Sequence, residues 1–348
     1  MKETFGKRLK SARLLSLMSQ DNLVSAIDGI VSKNAISKYE RGEMMPNSKV
    51  LIKLAFALSV KPDYFFRPFT VEIESVEFRK KSRLGKKKIN AIKQKVTNHV
   101  EKYLEIEKLL DIPFRFDNPI AKFQINSGED IEKAVYTLLD EWKLGFNALP
   151  NIIDLLEEKE LKVIELDEND SFDGLSGWAD GKYPIIVINK NYPIERKRFT
   201  ALHELGHLLM SFNPNLNHKD IEKFCHRFAG AILIPEETFI SELGKRRTRI
   251  SVPELISIKE SYGISIQATM ARAFHLDIIN EHVYIKFRKY ISRNLTEKGL
   301  GQYQGKEHSN RFKKLVYRAA AEGVVSVSKA ANLSNMKLAL FRDELKYL

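Results

Sequence analysis

The chain has 348 residues, 43% of them apolar, so it is long enough for two or three domains with buried cores. Its single cysteine, Cys225, excludes an intramolecular disulfide and suits a reducing compartment. No run approaches the ~20 apolar residues that a membrane span needs, and the charged N-terminus lacks the apolar run of a signal peptide. We therefore expect a soluble, cytoplasmic protein with no membrane partner.

The net charge of +12 is concentrated near the N-terminus. Residues 1–95 hold 21 Lys and Arg against 9 Asp and Glu, whereas residues 96–348 hold 36 of each sign. Residues 281–348 carry 14 basic and 6 acidic groups, so residues 96–280 have a net charge of −8. A basic head on an acidic body indicates a polyanion-binding module joined to a part with another function.

Residues 1–67 are predicted to form five short helices from the spacing of their apolar residues. Ser19 is placed to cap the second helix, from Gln20 to Ile27. The third begins near Ser32 and ends at Gly42, a residue suited to a helix C-terminus.

Motifs throughout this head carry a family resemblance. They are Phe5-Gly6-x-x-Leu9, Met18-Ser19-Gln20-x-x-Leu23, Ile36-Ser37-Lys38-Tyr39-Glu40-Arg41-Gly42, Pro46 and Leu54-Ala55-x-x-Leu58. The pattern resembles the Cro/CI-type helix-turn-helix of the Xre family, with a longer connection than usual at residues 28–32. The resemblance implies a double-stranded DNA operator as partner and is compatible with a homodimer.

On this resemblance the third helix enters the major groove of the operator. Lys33 and Asn34, at its exposed start, would face base edges, with Ser37 and Lys38 in the next turn. Gln20, at the start of the second helix, would lie against a phosphate. The alternative is a helical bundle used only for dimerisation.

Residues 69–125 are predicted to be a basic linker of one strand and one long helix. Alternating apolar residues at 71–78 predict the strand. Nine Lys and Arg with no acid between Arg79 and Lys95 either form a solvated helical face or extend a DNA-binding surface. The helix continues to about Leu110, and the two prolines in 111–128 indicate a domain boundary.

His203 and His207 lie in a stretch predicted to be helical, because its apolar spacing is regular and no proline interrupts it. Two histidines four residues apart share a helical face, so both can reach one metal ion at roughly 2.0–2.1 Å. Glu204 is rotated away from the pair but can reach a water at that ion, the position of a general base. The alternative is a surface helix with two solvated histidines.

The third metal ligand is expected on the next helix, which stops before Pro235. Glu222 and His226 lie one turn apart beside its apolar stripe, and either could bind the ion. Such a donor set suits zinc, with manganese an alternative. Gly206 costs about 1 kcal/mol relative to Ala inside a helix, so we expect a neighbouring strand or the second metal helix to approach it closely.

Four motifs in this middle region carry a second resemblance. They are Trp142-x-Leu144-Gly145, Phe172-Asp173-Gly174, Arg198-Phe199-Thr200-x-x-His203-Glu204-Leu205-Gly206-His207 and Glu222-x-x-x-x-x-Phe228-Ala229-x-x-Ile232-Leu233-x-Pro235. The region resembles the ImmA/IrrE family of metallopeptidases, which are similar to gluzincins. The resemblance implies one zinc ion per chain, Glu204 as catalytic base and Glu222 as third ligand. His226 stands where the family more often has Asn.

The predicted architecture is multidomain. An all-α helix-turn-helix head at 1–68 is followed by the linker at 69–125, an α+β gluzincin-like metallopeptidase body at 126–280 and a basic α-helical C-terminal segment at 281–348. Within that segment, Ser326 to Ser334 faintly resembles a second helix-turn-helix, although a packing or dimerisation module is favoured.

Together the resemblances imply a DNA-binding, zinc-dependent metallo-endopeptidase. It would cleave a regulatory protein, a repressor or an antitoxin, in a stress or mobile-element response. The alternative is a transcriptional regulator or antitoxin-like protein whose peptidase fold is a sensor without proteolytic activity.

Overall fold

The computed structural model describes residues 1–67, 71–74 and 85–346. Part of the predicted strand at 71–78 and the start of the basic run at Arg79 lie outside these residues. The chain divides into two compact units, Met1–Ile112 with Ala179–Gly181 and Pro113–Trp178 with Lys182–Leu348. We call them the first and the second unit.

The first unit is helical, and the five short helices predicted for the head are confirmed. Its elements are α1 (Lys2–Leu15), α2 (Gln20–Ala26), α3 (Lys33–Glu40), α4 (Ser48–Ala57), a 3-10 helix (Pro62–Phe66), β1 (Ile73–Glu74) and α5 (Lys86–Leu109). Ser19 caps α2 by accepting the Asn22 backbone N–H, and Ser32 caps α3 in the same way. Gly42 follows α3 with φ +73°, the left-handed conformation expected there.

The long helix α5 packs on α1 within the first unit. Arg8 donates from both terminal nitrogens to the Glu101 carboxylate at 2.9 and 3.0 Å, and both side chains are under 10% exposed. Ser11 donates to the Gln94 side chain at 2.6 Å. The helix that the sequence assigned to a linker therefore shares polar contacts with the head.

The second unit combines a small sheet with many helices. Its elements up to residue 275 are β2 (Gln124–Ile125), α6 (Gly128–Glu141), α7 (Ile152–Glu158), β3 (Lys162–Leu166), β4 (Gly174–Ala179), β5 (Tyr183–Asn189), α8 (Ile194–Leu209), β6 (Ser211–Phe212), α9 (His218–Leu233), α10 (Glu236–Leu243), α11 (Val252–Tyr262) and α12 (Ile266–His275). The helices that follow are α13 (Glu281–Ile291), α14 (Arg311–Ala321), α15 (Val327–Leu333) and α16 (Leu338–Glu344). The multidomain layout predicted from the sequence is confirmed.

Strand β5 lies between β4 and β3 in the sheet. It runs parallel to β3, with Val163 opposite Ile186, and five of its seven residues are fully buried apolar or Asn side chains. Helix α8 packs on β5 and on α9, and α9 packs on α6. Because β5 carries almost no polar surface, it provides an apolar surface on which α8 packs.

The sequence did not predict β4. Its two glycines, Gly174 and Gly177, interrupt the alternation of apolar and polar residues that identifies a strand. Among the helices that the structure describes, none is long and apolar enough to cross a membrane.

We predict that Glu101→Ala lowers the free energy of unfolding of the first unit by about 3–5 kcal/mol, because it leaves Arg8 buried without its counter-charge. Lys108→Ala, on an exposed position of the same helix, should change it by less than about 0.5 kcal/mol. Hydrogen exchange of the α1 and α5 amides measures both effects. Equal protection in the two variants would contradict the importance of the ion pair.

Candidate metal centre

Helix α8 buries the face that carries the His-Glu-x-x-His motif. Leu202, Leu205 and Leu209 pack into the core of the second unit, while His203 and Glu204 are only 4% and 3% exposed. The helix begins directly after Pro193, whose ring disfavours the helical conformation in the residue before it. It ends at Met210, where the backbone becomes extended. The motif therefore lies in a largely buried helix.

Three side chains from α8 and α9 converge beside this face. The Nε2 atom of His203 lies 3.7 Å from Glu222 Oε2, and the Nε2 atom of His207 lies 3.6 Å from Glu222 Oε1. One donor atom from each of the three residues lies within 4.8 Å of the other two. The structure thus brings together His203, His207 and Glu222 from two neighbouring helices.

This donor set fits a divalent ion. Donor atoms about 2.0–2.2 Å from one tetrahedral ion lie about 3.3–3.6 Å apart, close to the spacings of 3.6 and 3.7 Å that join the two imidazoles to Glu222. Two imidazoles and one carboxylate suit zinc and also manganese. The three residues would hold the ion and leave a coordination position open.

Glu204 is oriented by a residue that the sequence did not single out. Ser176, on β4, donates its hydroxyl to Glu204 Oε2 at 2.7 Å, and both side chains are buried. Strand β4 can approach α8 this closely because Gly174 has no side chain: a Cβ there would lie 2.7 Å from a Thr200 methyl and 3.4 Å from Glu204 Cγ. Gly174, the last residue of the Phe-Asp-Gly motif, therefore allows β4 to pack closely on Glu204.

Gly206 serves a similar purpose on the other side of α8. A Cβ at this position would lie 3.1 Å from the Phe228 ring and 3.5 Å from the Cα of Cys225, both on α9. The expected close approach of the second metal helix is confirmed. A larger residue would separate the two helices and move Glu222 away from the histidines.

His226 lies at the edge of the site. Its ring centroid is 4.3 Å from that of His203, and Phe199 stacks on it at 5.8 Å. It is exposed and does not belong to the group of converging donor atoms. His218 approaches Glu222 Oε1 to 3.7 Å, but its side chain is 72% exposed at the start of α9.

The first turns of α8 are held by the C-terminal part of the chain. Arg198 forms an ion pair with Glu307 at 2.8 Å, and both side chains are 0% exposed. The same guanidinium donates to the Leu149 carbonyl at 2.7 Å and to the Tyr262 carbonyl at 3.2 Å. Burial raises the pKa of the Glu307 carboxyl, and the Arg198 guanidinium opposes that rise.

A second buried contact supports the same end of α8. Glu195 accepts the Tyr303 backbone N–H at 3.0 Å and lies 3.7 Å from Lys259. Lys259 in turn donates to Glu297 at 2.9 Å, and Glu297 also accepts the Ile266 N–H at the start of α12. Residues 297–307 therefore connect α8 with α11 and α12.

Helix α9 is fixed by an acidic residue on α6. Glu132 accepts two hydrogen bonds from Arg272 at 2.6 and 2.8 Å and one from Arg227 at 3.0 Å. Burial, with Arg227 and Arg272 nearby, lowers the pKa of His275 to about 4. This imidazole is therefore neutral near pH 7 and does not add a further positive charge beside α9.

The residues predicted to contact DNA lie on α2 and α3 of the first unit. Lys33, Asn34 and Lys38 are exposed, and Lys33 forms a 2.7 Å ion pair with Asp21. Ser37 accepts a hydrogen bond from Arg41. The Gln20 amide donates to Glu40 at 2.8 Å, so in this structure an internal acceptor holds the group predicted to face a phosphate.

Sequence reasoning missed Ser176, Glu307 and Glu132. Each acts through a partner far along the chain, 28, 109 and 140 residues away for the bonds to Glu204, Arg198 and Arg272. A local signal existed only for Ser176, which lies two residues after Gly174 and so on the same face of the strand.

Comparison with family models matches both halves of this description. Residues 9–65 match the helix-turn-helix model, and residues 156–274 match the model of the IrrE N-terminal-like domain, a peptidase family whose members are typically metal-dependent. No curated protein matches the chain. One matching solved structure is the apo form of ComR from S. thermophilus, at 12% identity and a TM-score of 0.18, covering 99% of this chain and 95% of that one. No structural or functional feature is inferred from a TM-score this low.

We predict that Glu307→Gln lowers the free energy of unfolding of the second unit by about 3–5 kcal/mol, because Arg198 would remain charged in a buried site. The matched control is Glu322→Gln, which removes a 49% exposed partner of Arg318 and should cost at most about 1 kcal/mol. Urea denaturation and hydrogen exchange of the first α8 turns measure the difference. Equal effects would show that burial of the pair is unimportant.

Proposed function

We propose that this chain, which joins a helix-turn-helix domain to an IrrE N-terminal-like domain, is a DNA-binding metallo-endopeptidase that cleaves a regulatory protein. The observation that carries the proposal is the convergence of His203, His207 and Glu222 next to a buried Glu204. A helix with two solvated histidines would not place a carboxylate from another helix within 4 Å of both imidazoles.

Glu204 is proposed to act as the general base and then the general acid. A divalent ion, zinc in the first instance, supplies Lewis acidity and lowers the pKa of water toward about 7. The Ser176 hydroxyl donates to one oxygen of the Glu204 carboxylate and so fixes its plane. The carboxylate would accept a proton from the attacking water and donate it to the leaving amine.

The proposed substrate is a repressor or an antitoxin. Support comes from the presence of a DNA-binding domain in the same chain, because a protein held at an operator meets other proteins at that operator at high effective concentration. We propose that the DNA contacts come from α3, through Lys33, Asn34, Ser37 and Lys38, with Gln20 on α2. Binding as a homodimer to a two-fold site, in the cytoplasm and during a stress or mobile-element response, belongs to the same proposal.

The proposed metal site can be tested by substitution. His203→Ala should abolish binding of the ion, and Glu204→Gln should retain the ion while abolishing cleavage, because the base is not a ligand. His218→Ala is the matched control and should retain the ion, since that side chain is exposed. Mass spectrometry of the bound metal and a cleavage assay on the repressor encoded nearby measure these outcomes.

Three results would contradict the proposal in different ways. If His226→Ala loses the metal and Glu222→Ala keeps it, the third ligand is His226 and not Glu222. Cleavage by the Glu204→Gln protein would exclude Glu204 as the general base. A metal-loaded wild-type protein that binds operator DNA but cuts no neighbouring regulator would favour a regulator with a sensor domain.

DNA binding makes a separate prediction. Lys33→Ala or Asn34→Ala should relax sequence preference, with a loss of about 1–3 kcal/mol for each base contact. Lys53→Ala removes a cation on α4, where it pairs with Asp28, and should leave the preference unchanged. Duplexes selected from a randomised library by the wild-type protein provide the measurement, and an unchanged preference in all three variants would exclude α3 as the recognition helix.

A further inference from the structure

Helix α13 presents a row of cations to solvent. Lys286 and Lys289 lie one turn apart on α13, Arg293 follows two residues after the helix ends at Ile291, and all three are exposed. Arg288 is exposed beside them. We call Lys286, Lys289 and Arg293 the α13 basic stripe.

The stripe is not neutralised within the part of the second unit that the structure describes. None of its three cations has a carboxylate oxygen within 4.0 Å among the described residues. Of the two acids in 281–298, Glu297 is buried against Lys259, and Glu281 lies at the other end of α13. The stripe therefore keeps its positive charge toward solvent.

Cations on the next helix behave differently. On α14, Arg311 pairs with Glu160, Lys313 with Glu344 and Arg318 with Glu322. Two adjacent helices thus carry similar numbers of basic residues, but only α13 leaves a continuous group without internal partners. This difference separates the stripe from the general basic character of residues 281–348.

The opposite face of α13 is already used in packing. Tyr284 stacks on Phe274 with ring centroids 4.8 Å apart, and Val283 and Phe287 pack against the core. The face formed by Val283, Tyr284 and Phe287 is therefore not available for insertion into a lipid surface. Beside the stripe, Tyr290 is 55% exposed and offers a ring that can contact a sugar or base.

We propose that the α13 basic stripe binds the phosphate backbone of duplex DNA as a second, sequence-independent contact. Lys286 and Arg293 are seven positions apart, about 10 Å at a helical rise of 1.5 Å per residue. Duplex DNA carries one negative charge per strand about every 3.4 Å of its axis, so three cations meet a matching density of phosphates. The inference does not depend on peptidase activity, because α13 lies outside the region that matches the peptidase family.

The test compares the wild type with a full-length triple variant that carries Lys286→Gln, Lys289→Gln and Arg293→Gln. Binding to a random-sequence 30-base-pair duplex (about three turns) is measured by fluorescence anisotropy over a range of salt concentrations. Each phosphate contact contributes about 0.9 to the slope of log K against log salt, so the slope should fall by roughly 2.7. Circular dichroism and thermal unfolding would be run to confirm that the variant is folded.

The control replaces Lys313, Lys314 and Arg318 with Gln, which removes the same charge from α14. The control should keep the wild-type slope to within one contact. An equal fall in both triple variants would mean that only net charge matters, and an unchanged slope in the α13 variant would overturn the proposal. Loss of binding to polyglutamate, with DNA binding intact, would assign the stripe to an acidic protein instead.

Discussion

The buried ion pair between Arg198 and Glu307 is the constraint on which the position of helix α8 depends. Neither side chain touches solvent, and removing one charge of such a pair is far more costly than removing both. Arg198 lies five residues before His203 on α8, so the position of the C-terminal segment is coupled to the position of the His203 imidazole. The peptidase-family match ends at residue 274, yet the helix that carries the motif is secured by a residue beyond it.

The other end of α8 is held by the segment that precedes the family match. Asn118 donates to the Leu209 carbonyl at 2.9 Å, and β6, directly after α8, pairs in parallel with β2. The helix is thus attached at its start by residues 297–307 and at its end by residues 118–125. Between these attachments, Gly174 and Gly206 let β4 and α9 come close enough to position Glu204 and Glu222. The arrangement of His203, His207, Glu204 and Glu222 therefore depends on elements throughout the second unit.

Local patterns in the sequence were enough to predict most helices and the motif residues. The spacing of Leu202, Leu205 and Leu209, for example, identifies the buried face of α8, and this face fixes the direction of His203 and His207. The sequence could not choose between Glu222 and His226 without the resemblance, because both lie beside the apolar stripe one turn apart. It also missed β4, whose glycines weaken the strand pattern, and Glu307, because an ion pair across 109 residues leaves no local periodicity.

The separation of Arg198 and Glu307 along the chain also affects when α8 can fold during translation. At a synthesis rate of about 5–20 residues per second, Arg198 leaves the point of peptide-bond formation about 5–20 s before Glu307 is added, 109 residues later. During this interval the nascent α8 holds an arginine whose buried acceptor does not yet exist. Helix α8 can reach its final packing only when nearly the whole chain has been translated, so a ribosome-bound fragment carries the complete motif before it carries the fold that supports it.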